Sequence, residues 1–120
     1  MKNKIKNFKE LNVWKKGIEI VKDTYGVTNC LPEAERYGLV SQMRRAAVSI
    51  PSNIAEGFNR FHNKEYKQFL HIALGSCAEL ETHVEIALEL EFLDKEKRGV
   101  LVEKIDHASR MLTSLIKKLV

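Results

Sequence analysis

The sequence predicts an all-α fold, an antiparallel up-down-up-down bundle of four helices. Apolar residues recur three or four positions apart along most of the chain, which is the period of helices that bury one side. Two prolines and six glycines among 120 residues are too few for the frequent turns of an all-β fold. The breaks between the periodic segments are short, as they are between antiparallel neighbours in a bundle.

The first predicted helix runs from about Asn12 to Thr28, and Pro32 with the residues before it ends the pattern. Its apolar seam, with members three and four apart, consists of Leu11, Trp14, Ile18, Val21 and Tyr25. Residues 1–10 are predicted to form a flexible basic arm, and residues 11–120 a single bundle domain.

The second predicted helix begins near Pro32 or Glu35 and extends to about Phe61. Pro51 lies in its middle and lacks the N–H that would bond to the carbonyl four residues earlier, so we expect a kink near Pro51. The alternative is two shorter helices separated near residues 49–52. One kinked helix is favoured because the apolar register continues across the proline without a slip.

The third predicted helix starts after Asn63 as its N-cap and runs to about Glu91. It is apolar on more than one side, which indicates more than one packing partner. The fourth is capped by Asp94 and runs to about Leu119.

The formal charge of +4 is unevenly distributed along the chain. Residues 1–30 carry seven Lys against three acidic residues, and residues 94–120 carry seven basic against four acidic residues. Residues 63–93 instead carry two Lys against six Glu. The net charge is too small for a uniformly basic nucleic-acid-binding protein, and the pattern indicates basic and acidic helices placed side by side, within or between chains.

The sequence predicts a cytoplasmic protein with reduced thiols. No apolar run approaches the roughly 20 residues of a membrane span. The N-terminus MKNKIKNFKE carries charge but has no apolar segment of the kind found in signal peptides. Cys30 and Cys77 belong to no CxxC motif or Cys/His cluster, so reduced cysteines are expected.

No metal site is predicted. Di-iron bundles combine Glu-x-x-His pairs with glutamates from other helices, whereas Glu79 precedes His83, and Glu103 precedes His107, by four positions. His83 also lies in a row of glutamates typical of an exposed face, so the histidines are expected on the surface or rim of the bundle.

No catalytic residue or cofactor site is predicted either. Ser76 is not in a GxSxG turn, Cys77 has no nearby His that would activate it, and there is no phosphate-binding glycine loop. A non-enzymatic protein is therefore expected.

One helical face of the second helix carries a stripe of polar side chains in register. Its members are Gln42, Arg45, Ser49, Ser52, Asn53, Glu56 and Arg60. As a ligand site, Arg45 and Asn53 would bind an anion or amide while Glu56 holds Arg45. As a structural device, Arg45 and Glu56 would pair across a subunit boundary while Ser49 and Asn53 satisfy groups near the proline. The structural interpretation is favoured, because buried polar groups of this kind can fix register and oligomeric state.

Basic residues at two places are candidates for nucleic-acid contacts. They are Lys2, Lys4, Lys6 and Lys9 in the arm, and Arg44, Arg45, Arg60, Lys64 and Lys67 in the helices. The arm either reaches phosphate groups or is a solubilising tail. The helical group is expected to line one end of the bundle. Three aromatic residues nearby, Phe58, Phe61 and Tyr66, have helical spacing and are expected to pack in the core rather than stack on bases.

Three segments make the chain recognisable: LNVWKKGIEIVKDTY, ERYGLVSQMRRAAVSIPSNIAEGFNR and EYKQFLHIALGSCAELETHVEIALELEFL. They closely resemble a bacterial four-helix-bundle family named after 23S rRNA intervening-sequence proteins, over nearly the whole chain from about Phe8 to Leu119. The stretches RRAAVSIPSNIAEG and GSCAEL carry the most specific part of the resemblance.

The resemblance implies a small bundle that assembles into a ring, typically a homopentamer. Some members of the family are encoded inside sequences inserted in the large ribosomal RNA gene. A related group serves as accessory subunit to the reverse transcriptase of diversity-generating retroelements. The signature residues of the family, which have no assigned activity, correspond here to Arg45, Ser49, Pro51, Asn53, Glu56, Gly57, Gly75, Ser76 and Glu79.

The favoured functional hypothesis is a non-enzymatic, oligomeric helical bundle that binds structured RNA or a ribonucleoprotein. The alternative is a protein-interaction scaffold or accessory subunit, for example to a retroelement reverse transcriptase, without sequence-specific nucleic-acid binding. In that alternative the acidic face of one helix, with Glu81 and Glu85, meets a basic face of another chain. Neither hypothesis includes a cofactor, a small-molecule substrate or a membrane.

Overall fold

The structure is a computed structural model that describes residues 4–120; Met1, Lys2 and Asn3 lie outside the described part. Its four α-helices are α1 (Asn12–Thr28), α2 (Leu39–Phe58), α3 (Asn63–Glu89) and α4 (Lys95–Lys118). Two short 3-10 helices, Phe8–Glu10 and Glu33–Glu35, precede α1 and α2. Residues 4–120 contain no β-strand. The predicted all-α four-helix fold is confirmed.

Each helix packs against the next in the chain, and α1 also contacts α4, which closes the bundle. Thr28 near the end of α1 bonds to Arg44 early in α2, whereas Gly17 early in α1 lies against Pro51 late in α2. Residues late in α1 therefore contact residues early in α2, and the reverse, as in an antiparallel pair of helices. The result is an elongated body of 51 × 24 × 19 Å with two distinct ends.

The core contains fully buried side chains from all four helices. The largest include Ile20, Met43, Ile50, Ile54, Leu70, Leu80, Leu101, Ile105 and Leu112. Three apolar side chains of α3 lie outside this core, since Ile72, Ile86 and Leu90 are 52%, 41% and 53% exposed. The sequence predicts that α3 is apolar on more than one side. In the single chain, one of these apolar sides lies on the surface.

The predicted bounds of α1 agree with the structure, and Asp94 caps α4 by accepting a 2.8 Å hydrogen bond from the backbone N–H of Lys97. The predicted start of α2 near Pro32 or Glu35 is wrong, because Gly38 adopts φ −110° and ψ −107°, outside the helical region. The helix begins after that break, at Leu39.

Two further boundaries differ from the prediction at the α2–α3 turn and at the end of α3. The second helix ends at Phe58 rather than Phe61. His62, not Asn63, is the N-cap of α3, and Asn63 is its first helical residue. The third helix ends in a Schellman-type turn, where Glu91 takes a left-handed φ of 64° and the N–H of Phe92 bonds to the carbonyl of Ala87.

The second helix passes through Pro51 without interruption, which favours one helix over two shorter ones. The kink at this position stays a prediction. Pro51 is buried, and its ring faces Gly17 so closely that a Cβ at Gly17 would lie 3.2 Å from the Pro51 Cβ. The glycine thus lets α1 approach α2 at the level of the proline.

Part of the predicted N-terminal arm lies against the bundle. Phe8–Glu10 contacts both α1 and α2, and the rings of Phe8 and Trp14 meet edge-on with centroids 5.5 Å apart. Asn7 caps this short helix by accepting from the N–H of Lys9 at 2.8 Å. The division into an arm of residues 1–10 and a domain of 11–120 stays a prediction.

Two glycines of the signature set differ sharply in their surroundings, and this difference gives a stability prediction. A Cβ at Gly57 would lie 2.8 Å from the Phe69 Cβ and 3.1 Å from the Tyr66 carbonyl oxygen. A Cβ at Gly75 would meet no atom within 4 Å among the described residues. We expect Gly57→Ala to lower the free energy of unfolding by about 1–3 kcal/mol through overpacking.

The matched control is Gly75→Ala, which should leave stability unchanged or raise it by up to about 1 kcal/mol because alanine favours a helix interior. Both values are measured by urea denaturation followed by circular dichroism. Equal effects of the two substitutions would contradict the close α2–α3 approach at Gly57.

Candidate functional site

A chain of side-chain hydrogen bonds joins α2 to α3 at the centre of the signature set. The Asn53 amide Nδ2 donates to the carbonyl and the Oγ of Ser49, at 2.8 and 2.9 Å. The Ser49 and Ser76 hydroxyls lie 2.7 Å apart, and Ser76 Oγ donates to the carbonyl of Ile72 at 3.1 Å. Since Ser76 has one proton, Ser49 is the donor between the two hydroxyls.

The signature residues fall into two groups in the structure. The first group lies at contacts between helices and comprises Ser49, Pro51, Asn53, Gly57 and Ser76. The second group lies on the exterior and comprises Arg45, Glu56, Gly75 and Glu79. The residues of the first group have a packing role within the chain. The residues of the second group are available for a contact outside the chain.

Glu56 does not hold Arg45 in this chain. Its carboxylate forms an ion pair with Arg60, one helical turn further on, with 2.6 Å between Arg60 Nη2 and Glu56 Oε2. Arg45 is three turns away, about 16 Å along the axis. The ligand-site hypothesis in which Glu56 orients Arg45 within one chain is therefore wrong. Pairing of Arg45 with Glu56 across a subunit boundary stays a prediction.

The Arg44 side chain connects α2 to the end of α1 through hydrogen bonds. Its guanidinium donates to Thr28 Oγ1 at 2.9 Å and to Asn29 Oδ1 at 3.1 Å, and lies 4.4 Å from the centre of the Tyr25 ring. These contacts use two of the five N–H donors of its guanidinium within the fold.

The basic helical residues expected at one end of the bundle are divided between two places. Arg44 lies beside the end of α1, whereas Arg60 and the start of α3, with Lys64 and Lys67, lie at the opposite end, about 24 Å along the axis of α2. Arg45 is on the exposed side of α2, next to Arg44 in the chain. The expected single group is thus wrong, because Arg44 and Arg45 lie on the first half of α2 and the other three residues lie beyond its C-terminal end.

The end of the bundle that contains Arg60 is rich in positive charge, and we call it the basic end. Phe8–Glu10, the α2–α3 turn and the C-terminal part of α4 come together there. Its basic residues are Lys4, Lys6, Lys9, Arg60, Lys64, Lys67, Lys117 and Lys118. Its acidic residues are Glu10, Glu56 and Glu65. Lys2, also expected to bind nucleic acid, lies outside the described residues.

The opposite end, which we call the acidic end, has the reverse balance. It contains the α1–α2 and α3–α4 connections. Its acidic residues are Glu33, Glu35, Glu89, Glu91, Asp94 and Glu96. Its basic residues are Arg36, Arg44, Lys95, Lys97 and Arg98, so acidic residues exceed basic ones by six to five. Positive and negative charge are therefore separated along the long axis of the molecule.

Helix capping follows the same division. The two helices that begin at the acidic end receive carboxylates, from Glu35 at the N–H of Leu39, 3.2 Å away, and from Asp94 at the N–H of Lys97. In residues 4–120, α1 and α3 begin at the basic end without a side-chain cap. Carboxylates thus cap the positive poles of α2 and α4 at the acidic end, whereas the poles of α1 and α3 at the basic end have no side-chain cap within the described range and lie beside the negative poles of α2 and α4.

Phe61 is 99% exposed, and the expectation that it packs in the core is wrong. The reason is that α2 ends at Phe58, so the helical register that would carry Phe61 inward is lost. Phe58 is half-buried and meets the Tyr66 ring edge-on at 6.0 Å. The Arg60 guanidinium covers the ring of Phe69 at 4.8 Å. The full exposure of Phe61 could not be read from the apolar spacing.

His83 is buried at 6% exposure, so the expectation of surface or rim histidines is wrong for this residue. Burial lowers the pKa of its imidazole, and the Glu79 carboxylate, 3.9 Å from Nε2, partly opposes that shift. Its Nδ1 has no hydrogen-bond partner within residues 4–120. Because the neutral imidazole is favoured, His83 behaves as a buried packing residue in this chain.

The remaining candidates for chemistry are equally enclosed. Burial raises the pKa of the Cys77 thiol, with a hydrogen bond from Ser109 opposing the shift, and a raised pKa is the reverse of what a nucleophilic cysteine requires. In the part of the chain that the structure describes, no three His, Cys, Asp or Glu side chains are grouped closely enough to hold a metal ion. The same residues include no helix long and apolar enough to span a membrane.

The family model of the 23S rRNA-intervening sequence protein matches residues 9–114. The chain belongs to this family. The match includes the hydrogen-bonded centre of α2 and α3, the basic turn between them and most of α4. No curated protein matches the chain.

A solved structure has the same fold as this chain. It is the 1.70 Å crystal structure of a protein of unknown function from the S23 ribosomal protein family of Bacteroides thetaiotaomicron VPI-5482. The TM-score is 0.82 at 24% sequence identity, and the similarity covers 88% of this chain and 98% of that chain. At this level of identity the likeness establishes the shared fold.

The hydrogen-bond chain of α2 and α3 gives a prediction for this family member. We expect Ser49→Ala and Ser76→Ala each to lower the free energy of unfolding by about 1 kcal/mol, because each removes a bond between part-buried groups. In the double variant the losses should not add, leaving a coupling energy of about 0.5 kcal/mol or more. Urea denaturation of the four proteins of the cycle measures this value.

Ser52→Ala is the matched control, since Ser52 lies on the same helix with its side chain exposed. Its effect on stability should stay within about 0.5 kcal/mol. Additive losses at positions 49 and 76 would contradict a direct bond between their hydroxyls.

Proposed function

We propose that this member of the 23S rRNA-intervening sequence protein family is a non-enzymatic, oligomeric helical bundle that binds structured RNA, alone or in a ribonucleoprotein, through its basic end. The separation of charge along the 51 Å axis is the observation that carries the proposal. A net charge of +4 spread evenly would be a weak attraction, whereas the basic end presents eight basic against three acidic residues to one contact. The family name adds an RNA context to this electrostatic argument.

The side chains of the basic end are suited to phosphate contacts. Lys64 is exposed in the first turn of α3, and Lys67 is one turn further along. Arg60 is held between the Glu56 carboxylate and the Phe69 ring while its side chain stays 40% exposed, so its guanidinium is oriented before any partner arrives. Contacts of Lys and Arg with phosphate release counterions, and this release makes binding strongly dependent on salt.

The absence of catalysis is part of the proposal, and the buried state of the reactive groups supports it. Cys77 is a potential nucleophile and His83 a potential base, and both are buried with pKa values shifted towards the neutral form. We place the protein in the bacterial cytoplasm, and the free thiols of Cys30 and Cys77 accord with a reducing compartment.

The binding prediction concerns the exposed Lys64 and the half-buried Lys67. We expect the purified protein to shift fragments of 23S rRNA in native gels at low salt, with affinity falling steeply as salt rises. Lys64→Ala with Lys67→Ala should weaken binding and reduce the slope of log K against log salt by about 2, because two phosphate contacts are lost.

The chain offers a matched control at the acidic end. Lys95→Ala with Lys97→Ala makes the same change of charge in the first turn of α4 and should leave both affinity and slope unchanged. Equal losses in the two double variants would show that net charge, and not the basic end, governs binding. Absence of any shift at low salt would end the RNA proposal and leave the protein-interaction scaffold or accessory subunit as the function to pursue.

Self-association is proposed together with RNA binding, because α3 carries apolar side chains that the single chain leaves exposed. Ile72, Ile86 and Leu90 lie on one side of α3, next to the signature residue Glu79. By resemblance to the family, the assembly would be a homopentamer. Glu85 is a weaker candidate for contacts between chains, since its carboxylate accepts two hydrogen bonds from Arg98 of the same chain, at 2.9 and 2.7 Å.

We expect Ile72→Asp to dissociate the oligomer, because a charge buried in an apolar interface is unfavourable. Val100→Asp is the matched control: Val100 on α4 has the same 52% exposure as Ile72 and lies outside the proposed interface. Multi-angle light scattering measures the mass of each variant. A monomeric wild type, or an Ile72→Asp variant of unchanged mass, would contradict this interface.

A further inference from the structure

We propose that Phe61 is a stacking platform for an unpaired RNA base at the basic end. This inference rests on the proposed RNA binding and goes further, because it defines which RNA the site prefers. Paired bases inside a duplex are not available for stacking on a side chain, whereas bases in loops, bulges and ends are. The proposal therefore predicts preference for RNA with unpaired nucleotides.

The exposure of Phe61 has a local structural cause. The N–H of Asn59 bonds to the carbonyl of Ala55, and that of Arg60 to the carbonyl of Gly57, which closes the end of α2. The next helix starts at once, with the carbonyl of His62 accepting the N–H of Tyr66. Phe61 is thus held at the tip of a tight connection and is 99% exposed.

The apolar surface next to the turn is already covered by other groups. Phe58 and Tyr66 pack edge-on against each other, and the Arg60 guanidinium lies over Phe69. The Phe61 ring therefore has both faces free for a planar partner. A nucleic-acid base is such a partner, and stacking on aromatic side chains is a general mode of recognition for single-stranded segments.

Charge complementarity selects the nucleic acid over other planar or apolar partners. Arg60 precedes Phe61 directly, and Lys64 follows it by three positions with an exposed ammonium. A base that stacks on Phe61 would bring its flanking phosphates towards these cations. An aromatic ring between cationic side chains is the combination that single-strand-binding sites use.

The opposite end of the bundle supplies a natural comparison. Tyr37 is 89% exposed in the α1–α2 connection, with the Arg36 guanidinium 5.8 Å from its ring centre. Its surroundings include Glu33 and Glu35, so phosphate groups are repelled there. Tyr37 thus matches Phe61 in exposure and differs from it in electrostatic setting.

The test compares two RNAs with the same stem. One is a hairpin whose loop contains 2-aminopurine, and the other is a fully paired blunt duplex. We expect the wild-type protein to bind the hairpin more tightly than the duplex and to quench the 2-aminopurine fluorescence.

The Phe61→Ala and Phe61→Leu variants should bind the hairpin about five-fold or more weakly, which corresponds to the loss of one stacked base, and should bind the duplex as the wild type does. Phe61→Trp should retain hairpin binding, and Tyr37→Ala should behave as wild type.

Three results would overturn the inference. Hairpin binding by Phe61→Leu equal to that of wild type would show that apolar contact is sufficient without stacking. Equal weakening of hairpin binding and duplex binding would show that Phe61 maintains the structure of the basic end and does not stack on an unpaired base. Dissociation of the oligomer by Phe61→Ala, measured by light scattering, would show that the ring packs on a second copy of the chain.

The same experiment separates this inference from the proposed function. Salt-dependent binding of both RNAs that is sensitive to Lys64→Ala but insensitive to every change at Phe61 would refute the stacking site alone. No binding of either RNA at low salt would refute both. Circular dichroism of each variant verifies the fold, which a fully exposed side chain should not affect.

Discussion

The close approach of α2 and α3 is the constraint on which the other features of the bundle depend. A single hydroxyl–hydroxyl bond of 2.7 Å between Ser49 and Ser76 joins the two helices at their middle, and Gly57 brings them together towards the turn. Small residues are required at these positions because the backbones themselves are near contact. The two hydroxyls bond to each other and to neighbouring groups of their own helices, so they specify the relative position of the helices.

With α2 and α3 held in this way, the short turn between them is constrained as well, and the charged residues flanking it are gathered in one place. The turn carries Arg60 at the end of one helix and Lys64 at the start of the next. Phe8–Glu10 packs beside it, which adds the lysines near the N-terminus. The surface proposed to bind RNA is therefore a consequence of helix packing, although its members are distant in sequence.

Periodicity and capping preferences predict those parts of this structure that depend on local sequence. The bounds of α1, the Asp94 cap of α4 and the passage of α2 through Pro51 are of this kind. The start of α2 is different, because it depends on an unusual Gly38 backbone and on a carboxylate that reaches the N–H of Leu39. The Ser49–Ser76 bond joins residues 27 positions apart, so only the relative rotation of two helices determines it. The same holds for the burial of His83, whose glutamate neighbours in sequence suggested an exposed face.

The capping of α2 and α4 by carboxylates has a consequence for how the molecule approaches a polyanion. At physiological ionic strength the screening length is about 8 Å, a small fraction of the 51 Å long axis. A phosphate backbone near one end of the molecule therefore has almost no electrostatic interaction with the charges at the other end. At distances well beyond the screening length the molecule rotates freely. Within that length the electric field of the phosphates exerts a torque that turns the lysine-rich end towards them. With a polyanionic partner of the kind proposed here, orientation would be selected during the encounter, and the overall charge of the chain would have little influence on it.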